Sequence, residues 1–204
     1  SLNSTEEDEM SEINLSDLPK TEIVDVHIAS VWSRVAAYLL NYLFNVIIFL
    51  PYYYILYTEA TAISKQENIP FTPDLITSVS MRADMAQVGG LSTIVYLIVG
   101  IVQLYYMSRY GQSLGKKIMG IRVLKSNGSN PGFLGTVLVR ELAWGLIVLV
   151  ILISAYFVLK VNILICSLLI LLINFIMLFS VKRDRRTLYD MLADTVVVQL
   201  PPRR

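Results

Sequence analysis

The stretch from Arg34 to Tyr57 constrains the fold of this chain more than any other part of it. It reads RVAAYLLNYLFNVIIFLPYYYILY, and it contains no charged residue after the first arginine. Because an α-helix rises ~1.5 Å per residue, the stretch is long enough to cross the ~30 Å hydrocarbon core of a bilayer. The sequence therefore predicts a membrane-spanning helix over about residues 31–57.

The polar residues of this helix share one face, since they recur at helical spacing. They are Arg34, Tyr38, Asn41 and Asn45. Lipid offers an amide or a guanidinium no hydrogen-bond partner, so such a face must turn towards other helices or water. We therefore expect this helix to pack within a bundle.

Composition agrees with a membrane protein. Hydrophobic residues make up 55% of the chain and charged residues only 16%, whereas about a quarter of a soluble protein is charged. Further apolar stretches predict three more spans, so we expect an all-α membrane protein with four transmembrane helices. The four spans are about 31–57, 89–107, 134–159 and 163–181. Short extended segments are predicted near 121–125 and 195–200.

Basic residues predict the orientation of the bundle, because Lys and Arg concentrate in cytoplasmic loops. They are dense between the second and third predicted spans and after the fourth, and sparse elsewhere. We therefore expect both termini to be cytoplasmic. These residues are Arg109, Lys116, Lys117, Arg122, Lys125, Lys182, Arg183, Arg185 and Arg186.

Three regions divide the chain by composition. Residues 1–25 are acidic and poor in apolar residues, which predicts a disordered tail or, alternatively, a docking segment for a basic partner. Residues 26–200 form the predicted membrane domain, and residues 201–204 are a short C-terminal tail. Within the domain, residues 58–88 are expected to be a loop with a surface helix from Pro73 to about Gln87.

Four motifs occur in a fixed order between Val31 and Val198: SRVAAYLLN, GQSLGKKIMGIRVL, an arginine in the third span, and RRTLYDMLADTVVV. Together they resemble the RDD family of small bacterial membrane proteins, named for one arginine and two aspartates. Arg34 matches the arginine and Asp190 the second aspartate, whereas Asn41 replaces the first aspartate. The resemblance implies a bacterial inner-membrane location and transport of unspecified ligands, with cation/proton exchange in some members. An amide cannot carry a proton, so Asn41 weakens the last implication.

Polar side chains in the spans are the candidate site, as a polar pathway or as helix–helix contacts. They are Arg34, Asn41, Asn45, Gln103, Arg140, Glu141, Asn174 and Asp190. Helical rise places Asn41, Gln103 and Asn174 at overlapping depths, ~9–13 Å from the flanking basic residues. They either form interhelical hydrogen bonds or line a vestibule for a cation or small solute.

Charged residues near the same surface have two interpretations each. Arg34 and Asp190 are expected to pair, either as a structural clasp or with a role in gating or substrate contact. Arg140 either reaches the headgroups or meets a carboxylate such as Asp190 or Asp194. Glu141 is the one carboxylate predicted within a span, so it is the candidate for proton coupling or an interfacial ion-pair partner.

The segment GQSLGKK does not match a phosphate-binding loop, because the glycine spacing is too short and no Ser or Thr follows Lys116. Its glycines, with Gly120, instead predict an interfacial turn whose lysines meet anionic lipid. With one cysteine and one histidine, no disulfide, metal site or cofactor is expected, and no pairing of nucleophile and base predicts an enzyme.

Two functions remain open from the sequence. The first is a small transporter of solutes or cations; the second is a non-transporting interaction or assembly subunit that acts through its cytoplasmic face. The expected partners are the lipid bilayer, a second copy or another membrane protein, and a small cation for the first function. No nucleic-acid partner is expected.

Overall fold

Helices make up most of residues 26–201, the part of the chain that the computed structural model describes. The helices are α1 (Val31–Gln66), α2 (Pro73–Ser80), α3 (Ala83–Tyr110), α4 (Leu114–Ile118), α5 (Trp144–Leu159), α6 (Ile163–Met177) and α7 (Leu188–Leu192). A π-helical segment, Leu134–Ala143, leads directly into α5, and a short 3-10 turn, Val181–Arg183, follows α6. The predicted tails at 1–25 and 202–204 lie outside the described residues.

Three of these helical stretches are long and apolar enough to cross a membrane. They are Val31–Gln66, Ala83–Tyr110 and Leu134–Leu159. The fourth predicted span is shorter than expected: α6 has 15 residues, or ~22 Å at helical rise, and the chain then bends by 92° into Val181–Leu192. We treat α6 as the part that enters the membrane and the segment from Val181, with its basic residues, as lying outside the spans.

The ends of the first two predicted spans need correction. α1 continues to Gln66 across Pro51, beyond the predicted end at Tyr57. The added turns are held by tertiary packing, because Leu56 and Ala60 form a small core with residues of α2 and α3. The predicted surface helix also ends at Ser80 rather than near Gln87, and α3 begins immediately afterwards, at Ala83.

The chain is mostly helical, as predicted, and it also contains a small three-stranded antiparallel sheet. Its strands are β1 (His27–Ile28), β2 (Ile121–Lys125) and β3 (Thr195–Gln199), in the order β1–β3–β2. The predicted extended segments near 121–125 and 195–200 are therefore strands, and β1 was not predicted. Val123 pairs with Val197 at the centre of the longer ladder, where β-branched residues favour a strand.

The sheet defines one end of the molecule, which we call the polar end. Inward residues of β2 and β3 pack on α1 to form a buried core of Ala29, Ala37, Ile121, Val123 and Val197. The start of α1, the loop after α3 and the segment after α6 therefore lie at the same end. This arrangement agrees with the expectation that both ends of the membrane domain share one side, while the compartment that this side faces stays a prediction.

The spans form two helix pairs, α1 with α3 and α5 with α6. Packing between the two pairs is concentrated at the polar end, where the π-helical segment contacts α3 and α7. Farther along, α6 has no buried residue and α5 buries only Ala155. The α1–α3 and α5–α6 pairs therefore pack against each other mainly at the polar end.

Candidate functional site

A buried carboxylate, Asp190, lies at the centre of the polar end. Its side chain has no exposed surface, and Arg34 Nη2 donates to its Oδ2 at 2.6 Å. Arg140 Nη2 lies 2.9 Å from the other oxygen, Oδ1, and is also buried. We call these three residues the Asp190 cluster; in it, one anion is shared by two guanidinium groups.

Local sequence explains why Asp190 points inward. Thr187 is the N-cap of α7, and both its backbone N–H and its hydroxyl donate to Asp190 Oδ2, at 3.0 and 2.8 Å. The bond from the Thr187 N–H to the Asp190 side chain belongs to a capping box, which a Thr-x-x-Asp pattern at a helix start favours. The cap holds the carboxylate in the orientation in which it meets the two arginines.

Opposing effects act on the protonation of Asp190. Burial alone would raise the pKa of its carboxyl group, but the charges of Arg140 and Arg34 and the hydrogen bond from Thr187 outweigh burial. The pKa is therefore held well below its usual range, and the carboxylate stays charged at all physiological pH values.

The Asp190 cluster ties three elements together. Arg34 comes from the first turn of α1, Arg140 from the π-helical segment, and Asp190 from α7. Arg34 Nη1 also donates to the carbonyl of Arg185 at 2.6 Å, and the Arg140 guanidinium lies 5.0 Å from the Tyr189 ring centroid. The expected pairing of Arg34 with Asp190 and of Arg140 with a carboxylate is thus present as one connected group.

Asn41 makes a different set of contacts, about two turns beyond Arg34 in α1. Its Oδ1 accepts from the Gly115 N–H at 2.8 Å, and its Nδ2 donates to Ser113 Oγ at 2.9 Å. A Cβ at Gly115 would lie 2.0 Å from the Ala37 carbonyl oxygen, so only glycine allows α4 to lie this close to α1. Asn41 and Gly115 together dock α4 on the first helix.

The turn predicted from the glycine spacing is present just before α4. Gly111 ends α3 in a left-handed conformation with φ of 65°, where glycine is favoured. A Cβ there would also lie 2.3 Å from the Val123 carbonyl oxygen. The turn thereby brings β2 back against the end of α3.

The other amides do not join Asn41. Asn174 Oδ1 accepts from the Leu188 N–H at 3.1 Å, which ties α6 to α7. Gln103 is half-buried and Asn45 is exposed, and neither has a hydrogen-bond partner within residues 26–201. Neither of the two cavities described is lined by Asn41, Gln103 or Asn174.

Arg140 and Glu141 point in different directions, as expected for adjacent helical residues. Arg140 is buried in the Asp190 cluster, whereas Glu141 is exposed. Both residues border a small cavity of about 10 Å³ at the polar end, which is about the volume that one water molecule requires. The cavity is also lined by Ser113, Lys116 and Thr136.

Lys116 is a residue that the sequence did not single out by itself. It is half-buried in α4, beside the Asp190 cluster. Burial, with repulsion from Arg140 and Arg34, lowers the pKa of its amine to about 8, although the nearby Glu141 acts in the opposite direction. The only signal in the sequence was its place in the GQSLGKK segment, and that signal does not distinguish it from Lys117.

The fold and this site define a multi-pass helical membrane protein whose polar end is closed by a buried Arg–Asp–Arg cluster. The family profile described as the RDD family matches residues 28–194, so the chain belongs to the RDD family. The resemblance inferred from the motifs is thereby confirmed. No curated protein and no solved structure matches this chain.

Proposed function

We propose that this protein is a membrane interaction subunit that associates with a second copy of itself, rather than a transporter complete within one chain. One observation carries the proposal. The inward polar groups Arg34, Asn41, Asn174 and Asp190 have partners within the chain, whereas Asn45 lies exposed in a span without one among residues 26–201.

The chemistry of Asn45 favours a second copy as its partner. An exposed amide in a membrane helix gains from a hydrogen bond that lipid cannot supply. Asparagine carries both a donor and an acceptor, so two copies of the same side chain satisfy each other across a two-fold axis. The sparse packing between the two helix pairs leaves this part of α1 accessible to a neighbour.

Cysteine cross-linking in bilayers tests this association. In a background with Cys166, the only cysteine, replaced by alanine, we expect Asn45→Cys to form disulfide-linked dimers at low protein-to-lipid ratio. Leu43→Cys is the matched control, because it is also exposed but lies ~160° away around α1. Equal cross-linking at both positions would contradict the proposed interface.

Transport is a second proposal, supported by the position of Glu141. Glu141 lies in the π-helical segment that leads into the third span and is exposed at the polar end, and a carboxylate in a span is a candidate for contact with a transported cation. Proteoliposomes loaded with a pH-sensitive dye should show Na⁺-dependent proton flux that Glu141→Gln abolishes. Absence of flux, or flux unchanged by the substitution, would remove transport from consideration.

We further propose that the polar end faces the cytoplasm, with the protein in a bacterial inner membrane. The basic residues of the loop after α3 and of the segment after α6 support this orientation. Lys125 is exposed at the polar end, so Lys125→Cys should react with an impermeant maleimide only after the cells are opened. Labelling of intact cells from outside would reverse the orientation.

A further inference from the structure

We propose that Lys116, Arg140 and Ser113 form a binding site for the oxyanion of a phosphate group at the polar end. The site is separate from the proposed self-association along α1, so either proposal can fail without the other. It rests on three observations: an excess of positive charge, three donors without acceptors, and a shared cavity.

The local charges do not balance. Three cationic side chains, Arg34, Arg140 and Lys116, lie near two carboxylates here, the buried Asp190 and the exposed Glu141, so positive charge is in excess by one. Each oxygen of the Asp190 carboxylate already has one guanidinium partner. Within residues 26–201, no carboxylate oxygen lies within 4.0 Å of the Lys116 amine. A further anion would therefore meet attraction here that the protein itself leaves unused.

Three hydrogen-bond donors at this place have no acceptor in the described chain. Arg140 is only 3% exposed, yet its Nη1 has no hydrogen-bond partner. The Ser113 hydroxyl oxygen accepts from Asn41 and from the Lys116 N–H, and its own proton is not donated to any described group. The Lys116 amine is the third donor. Buried donors without acceptors are costly, and they are rare unless something else binds them.

All three residues line the same small cavity. Its volume of about 10 Å³ accommodates a single water-sized atom, such as one phosphate oxygen, while the rest of the group remains at the opening. Charged donors around a phosphate oxygen give the strongest hydrogen bonds. Among residues 26–201, Glu141 is the only carboxylate that lines the cavity, and its side chain is exposed. Its charge opposes the anion.

A phosphate oxyanion at this site has two sources, the headgroup of an anionic lipid or free inorganic phosphate. Both present the same chemistry to the three donors, so the experiment contains one arm for each. The full chain in maltoside micelles is titrated with short-chain phosphatidylglycerol in one arm and with inorganic phosphate in the other. Potassium chloride keeps the ionic strength constant, and the shift in the thermal unfolding midpoint gives the affinity.

Substitutions of the cationic and the anionic residue of the cavity are expected to change binding in opposite directions. Lys116→Gln should weaken binding about 10- to 100-fold, the effect of losing a charged hydrogen bond. Lys117→Gln is the matched control, because Lys117 is exposed and its amine lies 3.9 Å from the centroid of the Tyr106 ring. Loss of a surface lysine of this kind should weaken the binding of an anion only about fivefold. Glu141→Gln should strengthen binding several-fold, a gain that misfolding cannot produce.

Each outcome decides the proposal. Binding of phosphatidylglycerol alone supports a site for a lipid headgroup, and equal binding of phosphate supports a site for the free anion. Equal effects of Lys116→Gln and Lys117→Gln would overturn the site in favour of a general surface attraction. Binding of neither probe, or no gain in Glu141→Gln, would also overturn it.

Discussion

Replacing Asp190 with asparagine is the perturbation with the largest expected effect on stability. The substitution keeps the size of the side chain but removes the one anion between Arg34 and Arg140, whose nitrogens lie 2.6 and 2.9 Å from it. Because all three side chains are almost fully buried, bulk water has little access to the two guanidinium groups that lose their partner. The new amide nitrogen is also a donor, so it faces one guanidinium with the wrong polarity.

The expected size follows from burial. Removing one partner of a buried ion pair typically costs about 3–5 kcal/mol, because it leaves an uncompensated charge in the interior. Here two guanidinium groups lose the same partner, so we expect Asp190→Asn to fall within or above that range. The free energy of unfolding in detergent micelles, measured by denaturant titration, checks the value.

Asp84→Asn provides the control for Asp190→Asn. Asp84 also forms an ion pair, with Arg82 at 2.6 Å, but both side chains are largely exposed. Exposed pairs of this kind contribute little, so the control should unfold almost like the unmodified protein. If both variants lost the same small amount of stability, the argument that burial makes the Asp190 cluster stabilising would be refuted.

Three further predictions use matched variants or conditions. Because the folded-state pKa of Asp190 is lowered, its contribution to the free energy of unfolding should be fully present above the unfolded pKa of about 3.8. That contribution should be lost as the pH falls from about 3.8 through the lower folded-state pKa, and acid titration of Asp190→Asn should not show this loss. Gly115→Ala should lower stability in thermal unfolding by about 1–3 kcal/mol, because the added Cβ meets a backbone carbonyl of α1. Gly90→Ala should not destabilise the protein, because the space around Gly90 is open. Asn41→Leu should cost about 1–3 kcal/mol by leaving a backbone N–H unpaired, whereas Asn45→Leu should leave the unfolding of the monomer unchanged.

The sequence was most informative where a single local property determined the outcome. Uninterrupted apolar residues located the first and third spans, and β-branched residues located β2 and β3. The pairing of Arg34 with Asp190 followed from two charges expected at one membrane surface. These features depend on composition and spacing, which a sequence displays directly.

The remaining features depend on contacts between distant residues. α1 extends to Gln66 because Leu56 and Ala60 pack on α2 and α3, and no local pattern reports that core. Asn41 was expected among other amides, yet its partners are a backbone N–H and a serine hydroxyl of the α4 region, whose position depends on the bare backbone of Gly115. Lys116 differs from Lys117 only in which side of α4 it occupies.

The order of strands in the small sheet has a consequence for biogenesis. β3 is the central strand, yet it is the last of the three to be synthesised, and β1 and β2 pair only with it. Asp190 precedes β3 by a few residues, so Arg34 and Arg140 have no carboxylate partner until this late segment has been synthesised. Insertion of the apolar helices therefore precedes closure of the polar end. A chain that lacks β3 and the segment before it would leave two arginines without their carboxylate partner and two strands without the strand that pairs with both.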